Sequence, residues 1–481
     1  MQQHNPAFAI LDRAAQQPDA IAFVAGGHAI TYRRFTELMV HFTRRMRALG
    51  ITRGSTVGLA IKDAATATLA ALAVALLGGR WVPASSASAA VFPGVTHVLG
   101  SGIGARQPGR IEIGKDWYDA PPFDPEALST FPGYADPGDT WIIAHSSGPT
   151  GSPKFMPVTY ATVWRRMANP ELQDGVAPTT WNLFPATSYV GLKINAGNLV
   201  LGGTNVAGAA WDELVRLGVT RVMGSPAQLS AAIFGPTPPP QTRLRSLKVT
   251  GALITRPFVE TALAYFEELH VLYAATESGV ATVLRLTEAS QFDGSVGLPF
   301  DGAEVEVVDQ RHQPVPPGGE GIVRIRTGWA VPGYIDEPSA TAQFFRDGWF
   351  YPGDLGRLAP TGALYVTGRS NDVLSAGGMK LNAAELDEII QFLPGIADGF
   401  CFMRPDRQGV EMLSAMVTLR PGVGPEALRL LRTVATARLG PSRAPRLAFV
   451  VEKLPRNDNG KPMRSAAAEL AAGLTPIRLD A

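Results

Sequence analysis

The sequence predicts an α/β protein: doubly wound parallel sheets, then a small β-barrel, then a smaller α+β unit. Three observations carry this. As far as Glu277, short apolar runs alternate with helical patterns of period 3.6, the mark of parallel strands joined by crossover helices. Between 281 and 366 the texture changes to short alternating strands separated by Gly and Pro turns, which suits a small barrel. From about residue 370 a shorter set of helices and strands follows.

Taken in order, 6–17 has the spacing of an amphipathic helix, and 21–24 with 29–31 forms a hairpin around Gly26-Gly27. A helix over 32–49 stops at Gly50, and a strand over 57–61 follows. The stretch 64–77 is apolar on every face but short, alanine-rich and flanked by Lys62, Asp63 and Arg80; it reads as a buried helix, not a membrane span. A strand begins at Trp81-Val82, and 101–139, rich in Gly, Pro and Asp, reads as surface connection.

Residues 140–144 are an apolar strand, and 159–167 a helix opened by a threonine cap. Strands at 181–184, 203–206, 221–224, 247–253 and 271–273 alternate with helices at 188–201, 212–217, 226–234 and 257–268. GPTPPPQ at 235–241 is a proline-rich exposed loop. The barrel strands fall at 304–308, 321–326 and 363–366. The last unit has helices at 383–392 and 425–439 and strands at 399–403, 412–419 and 446–451.

Composition narrows the function. Charged residues make up 18% and hydrophobic residues 46%, ordinary for a folded enzyme. Lys+Arg 43 against Asp+Glu 42 leaves no basic surplus for nucleic acid or an anionic membrane. Cys401 is the single cysteine, so no disulfide forms within one chain, and its apolar neighbours make it a packed strand residue. The N-terminus lacks the basic-then-apolar order of a signal peptide, so the cytoplasm is the default compartment.

The chemistry centres on 145–154, HSSGPTGSPK. A strand running into Gly, Ser and Thr frees backbone N–H groups to wrap an anion. Gly148 and Gly151 allow the turn, while Ser146, Ser147 and Thr150 add hydroxyl donors. The same composition also makes a surface turn. It is not a Walker A loop: Pro153 precedes Lys154 where that motif needs Gly, and Phe155 stands at its Ser/Thr position.

The rest of the chain supplies further words in a fixed order: Thr250-Gly251-Ala252, Tyr273–Glu277 (YAATE), SVGLPFDGAEVEVVD at 295–309, GWFYPGDLG at 348–356, Gly368–Asp372 (GRSND) and PRNDNGKPMR at 455–464. With the 146–154 loop, these resemble the adenylate-forming superfamily of acyl-CoA synthetases, peptide-synthetase adenylation domains and firefly luciferase. The resemblance covers nearly the whole chain. It implies an N-terminal domain over 1–369, with two doubly wound subdomains plus the barrel, and a mobile C-terminal lid over 370–481. It also implies ATP-dependent activation of a small carboxylic acid to an acyl-adenylate with release of pyrophosphate. Transfer to a thiol follows, of coenzyme A or of the phosphopantetheine arm on an acyl carrier protein.

Carried over residue by residue, the resemblance gives Ser146, Ser147, Gly148, Thr150, Gly151 and Lys154 to the β- and γ-phosphates. Thr276 goes to the α-phosphate and Glu277 to Mg2+; Gly251, Ala252 and Tyr273 go to the adenine segment. Asp354 and Arg369 would hold the ribose, and Lys461 the reacting carboxylate and α-phosphate. Asn371 stands at the hinge position. The acid would lie among Ser188, Tyr189, Lys193 and Ala274. Lys193, the one charge of its helix, would either meet a second acidic group or stand as an ordinary solvated helix lysine.

Ser375–Lys380 resembles the segment lining the pantetheine tunnel and does not separate coenzyme A from a carrier protein. The chain departs from the pattern at Pro149, Val271, Ala274, Pro352 and Asn371. Pro149 removes a hydroxyl and an N–H from the phosphate cradle. Two other readings stay open: an amine or hydroxyl acceptor, or a catalytically silent nucleotide-binding homologue.

Overall fold

The computed structural model describes residues 4–84, 92–102, 109–122, 130–133, 136–147, 153–167, 177–208, 210–234, 239–369, 373–376, 379–405, 411–456 and 462–479. The chain divides into two compact units. One comprises Met1–Thr250, Arg256–Val305 and Ile325–Phe350; the other comprises Gly251–Thr255, Glu306–Arg324 and Tyr351–Ala481.

The first unit holds two sheets, each grown from alternating strands and helices. In the first, Arg110–Glu112, His97–Gly100, Thr56–Ala60, Arg80–Pro83 and Thr140–Ser147 lie parallel in that order, and Pro153–Thr159 pairs antiparallel at the edge. The helix Ala64–Leu76 has Asp63 as its N-cap, accepting from Thr66 N at 2.7 Å. It is buried along almost all its length. Leu69, Leu72 and Leu76 are each at most 1% exposed, each contributing about 1.5–3 kcal/mol. An alanine-rich helix lets its neighbours approach closely from every side, as expected for a core helix.

The second sheet has nine strands in the order Leu298–Pro299, Gly279–Leu286, Phe266–Ala275, Leu244–Thr250, Arg221–Gly224, Thr179–Asn182, Thr204–Ala207, Ile21–Ala25 and His28–Thr31. Its centre is parallel and its two margins are antiparallel. Beneath it, Asn182, Asn195, Asn198 and Asn205 exchange side-chain hydrogen bonds that tie the helix Tyr189–Val200 to the strands. Buried amides must be paired, so this network fixes the helix in rotation as well as position.

Four expectations are corrected. Residues 101–139 are not all surface connection: Arg110–Glu112 joins a sheet and Trp117 is buried against Phe42. The phosphate-loop sequence does not lead straight from strand to helix. Pro153–Thr159 returns antiparallel to Thr140–Ser147, with Met156 and Val158 inward, and Thr159 then caps Tyr160–Met167 through Thr162 N at 3.1 Å. Pro153 and Pro157 hid this strand, and an edge position is where proline is tolerated. The helix expected over 257–268 stops at Tyr265; Glu268 serves a strand instead, paired with Arg285 at 2.8 Å. Residues 281–286, placed at the start of the barrel region, belong to the strand Gly279–Leu286 and extend the nine-stranded sheet.

The β-rich region is a set of antiparallel pairs. In the first unit Ile325 pairs with Phe350, and Phe345–Arg346 with Trp349–Phe350. In the second, Glu320–Ile322 pairs with Leu355–Arg357, and Asp354–Leu358 with Leu364–Arg369.

The second unit continues with a sheet of Ile396–Pro405, Glu411–Leu419, Leu447–Val450 and Ile477–Arg478. Strand alternation splits its core. Cys401, Ala415 and Val417 pack with Leu386, Ile390, Leu431 and Ala435, while Phe400, Phe402, Met416 and Phe449 pack with Ala467 and Ala471. Cys401 is a packed strand residue, and burial pushes its thiol pKa well up. Among the described residues no helix is long and apolar enough to cross a membrane.

Candidate active site

The C-terminal ends of parallel strands in an open α/β sheet are where ligands bind. Phe266–Ala275 ends there in a hairpin whose turn is Thr276-Glu277-Ser278, before Gly279–Leu286 returns. Gly279 has φ +75°, and a Cβ on it would meet the Trp329 ring at 2.8 Å. Only glycine lets the turn pack this closely. Glu277 is 6% exposed, although its carboxylate belongs to no ion pair among the described residues.

The turn is held from behind by Arg166, itself 5% exposed, in the last turn of the helix Tyr160–Met167. Its Nη1 donates to Thr276 O at 2.9 Å and to the Tyr189 hydroxyl at 2.8 Å. Nη2 donates to Glu277 O at 2.9 Å and Trp329 O at 2.8 Å, and Nε to Trp329 O at 3.1 Å. That engages all five guanidinium donors. No carboxylate among the described residues pairs with Arg166, so its positive charge is solvated by carbonyl dipoles and left unneutralised.

On the other side of the turn, the Tyr334 hydroxyl donates to Glu277 Oε1 at 2.9 Å, and Val331 N donates to Glu277 O at 2.9 Å. No described residue donates to Oε2. Lys154 lies with its ammonium 4.7 Å from the Phe344 ring centre and 5.7 Å from that of Tyr334, a cation–π arrangement. Ile335 N donates to Phe155 O at 2.8 Å, which fastens the Tyr334 segment to the Lys154 strand. Lys154, Tyr334 and Glu277 therefore form one contiguous group.

Ser146 and Ser147 end the strand opposite Lys154 and Pro153; their side chains, like residues Gly148, Thr150 and Gly151, lie outside the described set. Ser188 is engaged as the N-cap of Tyr189–Val200, accepting from Gly191 N at 3.0 Å and donating to Pro185 O at 2.7 Å. Tyr189 is buried under Arg166. Lys193 is half-buried one turn further on; burial and then the like charge of Arg166 lower its pKa from 10.5 to about 8. Ala274 is exposed, one residue past a bulge in the strand pairing at Tyr273. Tyr273 is half-buried.

In the second unit Asp354, 4% exposed, stands directly opposite Arg369 across the strand pair. Gly251, at φ +96°, and exposed Ala252 follow the C-terminal end of the strand Leu244–Thr250. Asn371 and Lys461 lie outside the described residues. The described residues before and after 457–461 are held by ion pairs. Arg456 grips Asp398 in a bidentate pair at 2.8 and 2.7 Å, and Arg464 holds Asp387 at 2.6 Å. Arg456 also bridges to Pro462.

Arg166, Tyr334 and the Arg456/Arg464 anchors were missed from sequence. Arg166 resembles any basic residue at a helix C-terminus. Arg456 and Arg464 were inside a quoted motif, yet their carboxylate partners are 58 and 77 positions away.

The profile of the family described as AMP-binding enzyme matches residues 10–92 and 106–335. The chain is 27% identical to oxalate–CoA ligase of Saccharomyces cerevisiae over 355 residues, spanning 71% of this chain and 65% of that one. It is 26% identical to a medium/long-chain-fatty-acid–[acyl-carrier-protein] ligase, FadD10, of Mycobacterium tuberculosis, over 96% of this chain and 94% of the other. In fold it matches o-succinylbenzoate CoA synthetase from Bacillus subtilis in complex with an acyl-adenylate intermediate. The TM-score is 0.81 at 21% identity, covering 95% and 97% of the two chains. The motif words, the sheet-end hairpin carrying Glu277 and the family profile agree: the chain belongs to the AMP-binding enzyme family, within the adenylate-forming superfamily.

Proposed function

We propose that the chain joins a small carboxylic acid to the α-phosphate of ATP, releases pyrophosphate, and passes the acyl group to a thiol. The observation that carries this is the turn Thr276-Glu277, buried at the sheet end between Arg166 and the Tyr334–Lys154 pair. An anion must there approach a polyanion, so catalysis is mostly positioning and charge neutralisation. Glu277 fits a Mg2+ ligand: Tyr334 fixes one carboxylate oxygen and no described donor occupies the other. When bound, Mg2+ supplies charge neutralisation at the phosphates.

The roles of this chain's residues follow. Glu277 would hold Mg2+ through its carboxylate, steadied by Tyr334. Lys154, held over two aromatic rings, offers a cation to the phosphates, with Ser146, Ser147, Gly148, Thr150 and Gly151 supplying donors around them. Thr276 contacts the α-phosphate. Asp354, with Arg369 across the strand pair, accepts the ribose hydroxyls. Lys461 reaches the reacting carboxylate, and Asn371 is the hinge of a lid over 370–481. Ser375–Lys380, whose described residues form a hairpin, serves the thiol arm. Coenzyme A and a carrier-protein arm end in the same chemistry, and relatives of both kinds exist.

The test is pyrophosphate release with ATP and Mg2+ across a panel of carboxylic acids, followed by AMP release with coenzyme A or a phosphopantetheinylated carrier protein. Acid-dependent pyrophosphate and thiol-dependent AMP are expected. Turnover with amines or alcohols in place of thiols would overturn the acceptor. ATP binding with no acid-dependent release would overturn the activity.

Tyr334→Phe isolates the metal ligand's support. Losing one hydrogen bond to a charged acceptor costs about 1.5–3 kcal/mol. The Mg2+ concentration giving half-maximal pyrophosphate release should rise roughly 10-fold. An unchanged Mg2+ dependence would separate Tyr334 from Glu277's role.

A further inference from the structure

Lys193 follows Tyr189 by one helical turn, so the two side chains share a face of the helix Tyr189–Val200. The Tyr189 hydroxyl is bound by Arg166, which in turn holds Thr276 and Glu277. Arg166 thus links the catalytic turn to the helix that carries Lys193. Lys193 is half-buried on that helix.

Its electrostatic setting is unusual. No carboxylate among the described residues pairs with Lys193, and the charged neighbour whose field it feels, Arg166, has the same sign. Arg166 has no counter-ion among the described residues either. The Glu277 carboxylate is turned toward Tyr334. Lys193 and Arg166 are therefore two cations beside the Thr276–Glu277 turn, neither paired with a carboxylate among the described residues. An enclosed ammonium without a counter-ion is costly, and an apolar acyl chain laid against it would raise that cost.

We propose that the acid activated by this chain carries a second anionic group, a carboxylate in its simplest form, and that Lys193 receives it as the residue that sets specificity. The inference rests on the acid-activating reading of the site and adds the substrate class. The reacting carboxylate lies at the Thr276–Glu277 end. The second anion lies one helical turn beyond Tyr189, so the substrate is a short acid charged at both ends. Its binding gives Lys193 the counter-ion that the protein does not supply, and draws a proton onto the ammonium where it is partly neutral.

The experiment compares acids matched in length: malonate with propionate, succinate with butyrate, glutarate with pentanoate. Each is titrated calorimetrically into the full chain with Mg2+ and a non-hydrolysable ATP analogue. Pyrophosphate release with ATP is measured in parallel. Wild type should prefer a diacid over its monoacid partner by about 10- to 100-fold, the worth of a hydrogen bond to a charged group. Lys193→Met should abolish that preference by weakening the diacid and sparing the monoacid, and Lys193→Arg should restore much of it. Near pH 8.5, diacid binding to wild type should take up protons, seen as a dependence of the heat on the buffer's ionisation enthalpy.

Equal or better binding of the monoacids by wild type would overturn the proposal, and so would a diacid preference that survives in Lys193→Met. Failure of every diacid to bind would also overturn it. The two levels separate cleanly. Lys193-dependent diacid binding without pyrophosphate release would leave this inference standing and remove adenylation. Release driven by monoacids alone would do the reverse.

Discussion

Glu277→Gln is expected to lower acid-dependent pyrophosphate release by about 10²–10³-fold, the usual loss when one preorganised electrostatic contact is removed from a transition state. The replacement is nearly isosteric, and the new amide oxygen still accepts from Tyr334, so the turn keeps its shape. What disappears is the negative charge on a 6% exposed side chain, and with it the hard anionic oxygen that suits Mg2+. Added Mg2+ should recover part of the rate. The protein should be at least as resistant to urea as wild type, because a buried carboxylate with one hydrogen-bond partner is itself a destabilising feature. Pyrophosphate release titrated with Mg2+ and a urea melt check both halves. Near-normal release at low Mg2+ would remove Glu277 from the metal site.

The second large effect is at Arg166, and here stability moves first. Arg166→Met deprives Thr276 O, Trp329 O and the Tyr189 hydroxyl of the donors that Arg166 supplies, while Glu277 O keeps Val331 N as its one donor among the described residues. Each buried group left unpaired costs about 1–3 kcal/mol, so a total near 3–5 kcal/mol is expected, the range seen when a buried charged network is broken. The urea midpoint should fall clearly. Pyrophosphate release should be lost even below the unfolding range, since Thr276 and Glu277 then lack their support.

A third readout separates electrostatics from packing. Burial first, and then like-charge repulsion from Arg166, lower the Lys193 pKa, so in Arg166→Met that pKa should rise above about 8 while burial still holds it below its ordinary value. Arg166→Lys retains the charge but not the planar fork, and should behave like Arg166→Met in stability. A Lys variant with wild-type stability would show that charge alone holds the turn.

These residues also mark what a sequence can disclose. The parallel sheets were legible because buried parallel strands read as apolar runs between helical periods, and because Thr159 is a plain cap signal. Glu277 and Asp354 were placed by the motif words around them. The opposition of Asp354 and Arg369 follows from a hairpin whose paired ends are 15 positions apart, a short-range event. Arg166 and Tyr334 carry no comparable word. Their partners lie 110 and 57 positions away, and which carbonyl a buried guanidinium meets is decided by tertiary packing alone. The edge strand Pro153–Thr159 was hidden for a different reason: its two prolines argue against a strand unless the neighbouring order is known.

The reach of Arg166 also sets a timetable for the nascent chain. One guanidinium collects the Tyr189 hydroxyl, the carbonyls of residues 276 and 277, and that of residue 329, which is 163 positions downstream. A ribosome releases these segments in sequence, at about 5–20 residues per second. The strand Pro153–Thr159 and the Tyr189 helix thus wait on the order of ten seconds for the last of Arg166's acceptors. During that interval a charged group destined for burial remains hydrated. Catalytic competence in this unit is consequently one of the last things its synthesis delivers.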